Sequence, residues 1–363
     1  MSVDFGRFRS SVAALAVTGL LASGCGDSGT AEQIDPPVGP NTDAITTVSA
    51  DIKGSGASFP DAFYQEAVEG LGTVAPELRV TYEAVGSAAG REGFSQGLSD
   101  FAGTDSLLGP DEHLREGTFF YIPATAASVA VAFNVAGVDE LHLDPVTLAE
   151  IFQRDITRWD DPAIAALNPD ADLPAIPITV ARRSDGAGTT KNFTTYLDRA
   201  APGVWRLGAG DTVEWPPGTE GGQQNPGVAQ IVVDAPGGIG YVDYGNAVEL
   251  ELQMAAIRNR SGEFVAPSIE ATAAALEGSE LADDLTFDPL DGPGAGAYPI
   301  TAPTYLLVRR TYDDRRTGEG VVAFVHWLVT DGADNYAADL GYAPIPGRFR
   351  DAAEDRLDQV EVG

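Results

Sequence analysis

Lysine is nearly absent. Lys53 and Lys191 are the only two in 363 residues, so almost all of the 22 basic side chains are arginine, against 54 acidic ones. A net charge of −32 excludes nucleic acid and an anionic membrane surface as natural partners, because both would be repelled. Cysteine occurs once, at Cys25, which leaves no internal disulfide partner. The three histidines, His113, His142 and His326, are scattered. Asp160 and Asp161 lack a third oxygen ligand at matching spacing and read as a cap and a solvated turn. No metal site and no cofactor is therefore expected. There is no Gly-Lys-Ser/Thr phosphate loop, no nucleophile elbow and no defensible Ser/His/Asp arrangement, so an enzyme is not expected.

A long apolar run is also missing. Arg7 and Arg9 precede an uncharged stretch from Ser10 to Gly24, too short and too rich in small residues for a span of ~20 residues. A basic start and a short apolar centre make a secretory signal. It ends Leu20-Leu21-Ala22-Ser23-Gly24-Cys25. Small residues before a lone cysteine are similar to a bacterial lipobox, with Ala22 where leucine is commoner. Residues 1–24 are expected to be a lipoprotein signal peptide and Cys25 the lipidation site. The product would be extracytoplasmic and anchored to the cell membrane by lipid. Each buried CH₂ contributes about 0.8 kcal/mol, so firm anchoring needs more than one chain. Residues 25–47 are polar and rich in Gly, Pro and Ser, and read as a disordered tether. Folded structure is expected from Val48.

What the chain does have is a repeated device: strand, small-residue turn, helix start. It appears at Lys53-Gly54-Ser55-Gly56-Ala57-Ser58-Phe59-Pro60, and again where the apparent strand Leu78–Ala84 runs into Gly86-Ser87-Ala88-Ala89-Gly90-Arg91. Its fullest form is Arg182-Arg183-Ser184-Asp185-Gly186-Ala187-Gly188-Thr189-Thr190, after the apolar run Ile176–Val180 and before a helix with Phe193, Tyr196 and Leu197 on one face. The first N–H groups of a helix lack partners and sit at its positive end, so such a start favours an anion. Arg183, or its neighbour Arg182, adds a planar donor fork suited to phosphate or carboxylate. A single turn of this kind is more often an ordinary cap; three in one chain are harder to dismiss. Phe101-Ala102-Gly103-Thr104-Asp105 ends an apolar segment on an acid, which by default is a turn or cap residue.

Further along, Phe119–Pro123 and Ser128–Asn134 read as two strands, Pro145–Phe152 as a helix and Gly208–Pro226 as a Gly/Pro-rich loop. Val228–Val233 reads as a helix leading into a strand ending at Val242. Ser279–Tyr298 reads as a connection and Tyr305–Val308 as a strand. Gly318–Leu328, Asn335–Leu340 and Arg348–Leu357 follow as helices. Strands alternate with helices throughout, which predicts an α/β fold, and the length suggests two domains.

Together these motifs resemble the substrate-binding protein of bacterial phosphate ABC importers, over about Asp51 to Pro346. The Gly54–Pro60 turn, Gly86-Ser87 and Phe101–Asp105 are similar to the family's motifs. So are Leu148–Phe152, Ile156–Pro162, Leu167–Pro169, Arg183–Thr190, Gly238–Val242 and Leu340–Pro346. The resemblance implies a two-lobed periplasmic-binding-protein fold, type II-like, with two crossovers and the ligand in the interlobe cleft. One lobe would be 48–132 plus 298–363, and the other 133–297. It implies a monomeric carrier that binds inorganic phosphate outside the cell and delivers it to the transmembrane subunits and ATPase of an ABC permease. A secreted phosphatase-like protein, or a sensor of another tetrahedral oxyanion, is the alternative. Carried over residue by residue, the phosphate contacts fall on Ser58, Phe59 through its N–H, Ser87, Asp105, Arg183, Ala187, Gly188 and Thr189, with Asp185 orienting Arg183. The family usually has serine where this chain has Ala187, so the hydroxyl is lost although the backbone N–H is expected to remain. Somewhat weaker or differently shaped binding is expected unless Thr190, a water or Arg91 compensates, and Arg91 stands where the family usually has an apolar residue.

The selectivity chemistry is legible in the residue types. Phosphate near pH 7 carries at least one proton, and an ionised carboxylate such as Asp105 only accepts hydrogen bonds. Sulfate has no proton to give, so its oxygens would face a buried charge without a partner. Asp105 is therefore expected to reject sulfate.

Overall fold

In the computed structural model, residues 45–109 and 112–363 are described. The signal segment, Cys25 and the tether up to residue 44 lie outside them. Ile45 is buried and joins the main core. None of the described helices is long and apolar enough to cross a membrane.

Eight strands form the path of the main sheet: β1 (Ala50–Gly56), β2 (Leu78–Ala84), β3 (Phe101–Thr104), β4 (Phe119–Asn134), β5 (Thr179–Arg183), β6 (Thr219–Gly222), β7 (Gly238–Asp243) and β8 (Thr301–Arg309). Their order is β2-β1-β3-β8-β4-β7-β5-β6, and the short strand Gln253–Met254 adds to β4 off this path. β1 runs parallel to both β2 and β3, and β5 runs parallel to β6 and β7. β8 is antiparallel to β3 and β4, and β4 is antiparallel to β7.

β4 changes partners part-way along its length. Its residues Phe119–Ser128 pair with β8, and Val129–Asn134 pair with β7. The sequence reads as two strands here, because Pro123-Ala124-Thr125-Ala126-Ala127 has little β character. The structure has one strand of 16 residues, buried along all but its last. A register shift between Thr304 and Tyr305 of β8 sets Pro123 opposite Tyr305 and Thr125 opposite Thr304. Ala124 is thus the extra residue of a bulge, which is where proline's missing N–H is tolerated in a sheet.

Three other expectations shift. The strand expected over Ile176–Val180 starts at Thr179, two residues after Pro177, and runs on to Arg183 because Arg183 pairs with Gly222. That partner, β6, lies inside the stretch expected to be loop. Its composition, Thr-Glu-Gly-Gly, carries no strand signal. The helix expected over Asn335–Leu340 is instead the end of a wider-wound π-helix, Leu328–Ala337, which continues from the α-helix Arg315–Trp327, followed by a tighter 3-10 turn, Ala338–Leu340. The helix Pro145–Phe152 stands as expected, capped by Asp144. Asp161 caps the next helix through the Ala163 N–H, and Asp160 pairs with Arg158.

Candidate anion-binding site

The parallel strands of each lobe end at one edge. β1 and β3 are in register at Gly56 and Gly103, and β1 and β2 at Gly56 and Ala84. The residues just past these ends are Ser58-Phe59, Gly86-Ser87 and Asp105, so the topology collects them without long-range design. A crevice at the carboxyl ends of parallel strands is where α/β sheets bind ligands. The other lobe contributes the end of β5 and the start of the helix that follows.

Among the helices that begin at this edge, beside those over Asp61–Val74 and Gln224–Asp234, are α1 (Ser87–Ser95) and α2 (Gly188–Ala200). In α2 the Lys191 N–H donates to the Ala187 carbonyl to start the backbone ladder, and the Asn192 side-chain amide donates to the Gly188 carbonyl at 2.9 Å. The N–H groups of Gly188 and Thr189 are left over by the geometry of a helix start. Phe193, Tyr196 and Leu197 bury the opposite face. The Phe193 ring stacks on Tyr241 at 4.4 Å, and the Tyr241 hydroxyl accepts from Arg183 N at 3.1 Å and meets Thr190 Oγ1 at 2.8 Å. Thr190 therefore supports the turn from beneath.

Strand alternation chooses between the two arginines. Arg182 turns back to the Arg183 carbonyl. Arg183 points inward and is 3% exposed. Its Nε donates to Asp185 Oδ1 at 2.8 Å, and its Nη2 pairs with Asp185 Oδ2. Its Nη1 reaches Thr189 Oγ1 at 3.3 Å and Asn225 Oδ1 at 3.2 Å. Asp185 thus fixes the plane of the guanidinium and leaves one Nη2 hydrogen uncommitted. Burial opposes the charge on Asp185, but the Arg183 bonds and the Gln224 N–H outweigh it and hold its carboxyl below the ordinary range.

Asp105 is 2% exposed. Ser87 Oγ lies 3.3 Å from its Oδ2 and accepts from its N–H at 3.2 Å. Thr304 donates to its Oδ1. Burial pushes the carboxyl up to about 7, against the downward pull of the Thr304 bond, the Arg183 charge and the Ser87 bond. Gly188 closes over this group. A Cβ on Gly188 would lie 2.6 Å from Asp105 Cβ and 2.8 Å from Ser87 Oγ, so only glycine permits the approach.

The structure brings Ser87, Asp105, Arg183, Asp185, Gly188 and Thr189 into one linked cluster. Ser58 sits at the end of β1 with its Oγ buried and unpartnered among the described residues. Phe59 is fully buried, with its carbonyl held by Tyr342 at 2.6 Å. Ala187 departs from expectation. Its N–H is not offered to the cleft but is donated to the Asp211 carbonyl at 3.0 Å. Arg91 does not face the cluster either, because Glu112, Thr104, Ser106 and Asp211 take up its donors. The arrangement offers a buried cation, a buried carboxyl, hydroxyls and free N–H groups, which suits a small, partly protonated oxyanion.

A family model described as "PBP superfamily domain" matches residues 41–332. The phosphate-binding protein PstS 3 of Mycobacterium leprae is 34% identical over 349 residues, covering 93% of this chain and 94% of its own. The chain belongs to the PstS family of phosphate-binding proteins. PstS of the archaeon Methanocaldococcus jannaschii is 33% identical over 86% of each chain. A solved phosphate-binding protein from Stenotrophomonas maltophilia superposes with a TM-score of 0.67 at 20% identity, covering 85% of this chain and 94% of that one. That likeness shows the two-lobed fold.

In this PstS-family chain, two cleft residues escape a reading of the sequence. Thr304 reaches Asp105 from β8, where it sits opposite the bulge at Ala124 of β4. Asn225 lies in the stretch read as loop, yet it is fully buried at the start of the helix Gln224–Asp234, with its Nδ2 unpartnered among the described residues. The only signal for Asn225 was a polar residue beside Pro226; for Thr304 there was none.

Proposed function

We propose that this protein captures inorganic phosphate in the interlobe cleft, outside the cytoplasm, and hands it to the membrane subunits of an ABC permease. The observation that carries this reading is the pairing of two buried groups of opposite sign, Asp105 and Arg183, flanked by unpartnered helix-start N–H groups. Arg183 and the N–H groups of Phe59, Gly188 and Thr189 would hold the anionic oxygens. Ser58 and Ser87 would add hydroxyls, and Asp105 would accept the P–O–H proton. The relatives carry the name of phosphate-binding proteins, which supports the same ligand here and a non-enzymatic role. Crossings between the lobes would fall at the pairing switch Ser128/Val129 and just before Thr301, within a few residues of the limits at 132 and 298. Lipid on Cys25 would keep the carrier beside its permease.

Titration calorimetry on protein lacking residues 1–25, stripped of ligand, tests the reading. One phosphate site, with sulfate at least about a hundredfold weaker, is expected from a binding difference of roughly 3 kcal/mol. Equal binding of both anions, or of neither, would overturn it.

Position 187 carries a second expectation. Ala187 has an extended backbone (φ −127°, ψ 134°) and caps α2 without a side-chain bond. A serine hydroxyl there can reach the anion. Ala187→Ser should tighten phosphate binding by roughly tenfold, the lower part of what a hydrogen bond to a charged group contributes. Equal or weaker binding in the same titration removes position 187 from the ligand's reach.

A further inference from the structure

The cleft is bridged by a second polar cluster, away from the proposed phosphate contacts. Arg91 lies one turn after Ser87 on α1, and its side chain is fully buried. Its Nε donates to Glu112 at 2.8 Å and its Nη2 to Glu112 at 2.6 Å. Its Nη1 reaches Thr104 Oγ1 at 2.9 Å and Ser106 Oγ at 2.6 Å. These partners all belong to the lobe of Arg91. One donor crosses the cleft: Nη2 to Asp211 Oδ2 at 2.8 Å. Ser106 Oγ crosses beside it to Asp211 Oδ1 at 2.6 Å.

Asp211 belongs to the loop between α2 and β6. Both of its carboxylate oxygens are committed to the opposite lobe. Its main-chain carbonyl accepts the Ala187 N–H at 3.0 Å. One residue therefore ties the far lobe to the residue immediately before Gly188 and Thr189.

We propose that Asp211, gripped by Arg91 and Ser106, is a closure latch. It indexes the start of α2 over the anion and sets how long phosphate is held. This rests on the phosphate reading above. The latch is reversible by construction. When the lobes part, Arg91 keeps Glu112, Thr104 and Ser106, so no buried cation is stranded. Asp211, with its side chain already 21% exposed, regains water easily. Breaking a partly buried, hydrogen-bonded charge pair acts mainly on dissociation, whereas encounter depends on the open cleft, where the latch is not yet made. The latch also gives the helix start at Ala187 an anchor that a side-chain cap does not supply there.

Asp211 is the residue to change, because removing Arg91 would leave the Glu112 carboxylate without its guanidinium partner within one lobe. Stopped-flow measurement of phosphate release into a chemical trap should show Asp211→Asn releasing about tenfold faster or more. The association rate is expected to stay within about twofold, the phosphate-to-sulfate ratio and the ligand-free melting temperature should be unchanged, and Asp211→Glu should restore slow release. An unchanged release rate overturns the latch. So does faster release accompanied by an equal loss of ligand-free stability, which marks a structural residue. If the wild-type protein binds no phosphate, the function reading fails. The latch, which is made only on closure over the anion, then falls with it, whereas normal phosphate binding with an unchanged Asp211→Asn release rate overturns the latch alone.

Discussion

Asp105→Asn should admit sulfate. In the wild-type cleft the ionised Asp105 has no donor to offer, and a sulfate oxygen placed against it leaves a buried charge unpaired. An asparagine amide donates two hydrogens while its carbonyl still accepts the proton of phosphate. The expected result is a gain in sulfate affinity of roughly a hundredfold at pH 8, near the upper end of the cost of an unsatisfied buried group, with phosphate affinity much less affected. Competition titration with the two anions measures it, and an unchanged ratio would remove Asp105 from its role.

The same carboxyl ties selectivity and stability to pH. Its folded value lies near 7, above the ordinary 3.8. A raised folded value means that its contribution to stability is complete below about pH 4 and is lost as pH rises toward 7. Asp243, pushed up by burial to about 6, works in the same direction. The ligand-free melting temperature should therefore fall between pH 4 and 7, and fall less in Asp105→Asn. Below pH 7 a protonated Asp105 can donate to sulfate, so discrimination should narrow in acid in the wild type and stay flat in the variant.

Arg183→Gln should abolish useful phosphate binding. Removing the guanidinium takes away the buried cation beside the ligand and strands Asp185, which is held below its ordinary range by that partner. A charged hydrogen bond contributes about 1.5–3 kcal/mol. Losing one, together with the uncompensated Asp185, predicts a drop of at least roughly a hundredfold. Arg183→Lys keeps the charge but not the fork, so it should fall between. Calorimetry reads the affinity, and circular dichroism shows whether the variant is folded. A folded Arg183→Gln protein that binds phosphate as the wild type does would sink the proposed site.

Much of this site was legible because it is built from local sequence. Ser58-Phe59, Gly86-Ser87, Asp105 and Arg183–Thr189 each follow a strand within a few residues, and parallel strands place such ends together. The parts that were not legible depend on contacts distant in sequence. Thr304 meets Asp105 from 199 residues away in the chain. β6 is a strand because β5 offers a partner, although its own residues favour a turn. The N–H of Ala187 looked available from the chain alone, and only the folded loop shows that the Asp211 carbonyl takes it. Arg91 stood at a position where an apolar residue is usual, with nothing local to name its partners.

The undivided β4 also governs how the protein opens. Its hydrogen bonds pass from β8 to β7 at Ser128/Val129, and Val129 N still bonds to Ile300 at 2.7 Å across the change. The two sides of the sheet thus share a pleated ribbon rather than a pair of slack linkers. Any movement of one side against the other would have to bend a continuous strand whose neighbours hold it on both edges, so the backbone itself would oppose a wide swing in the way a leaf spring opposes bending.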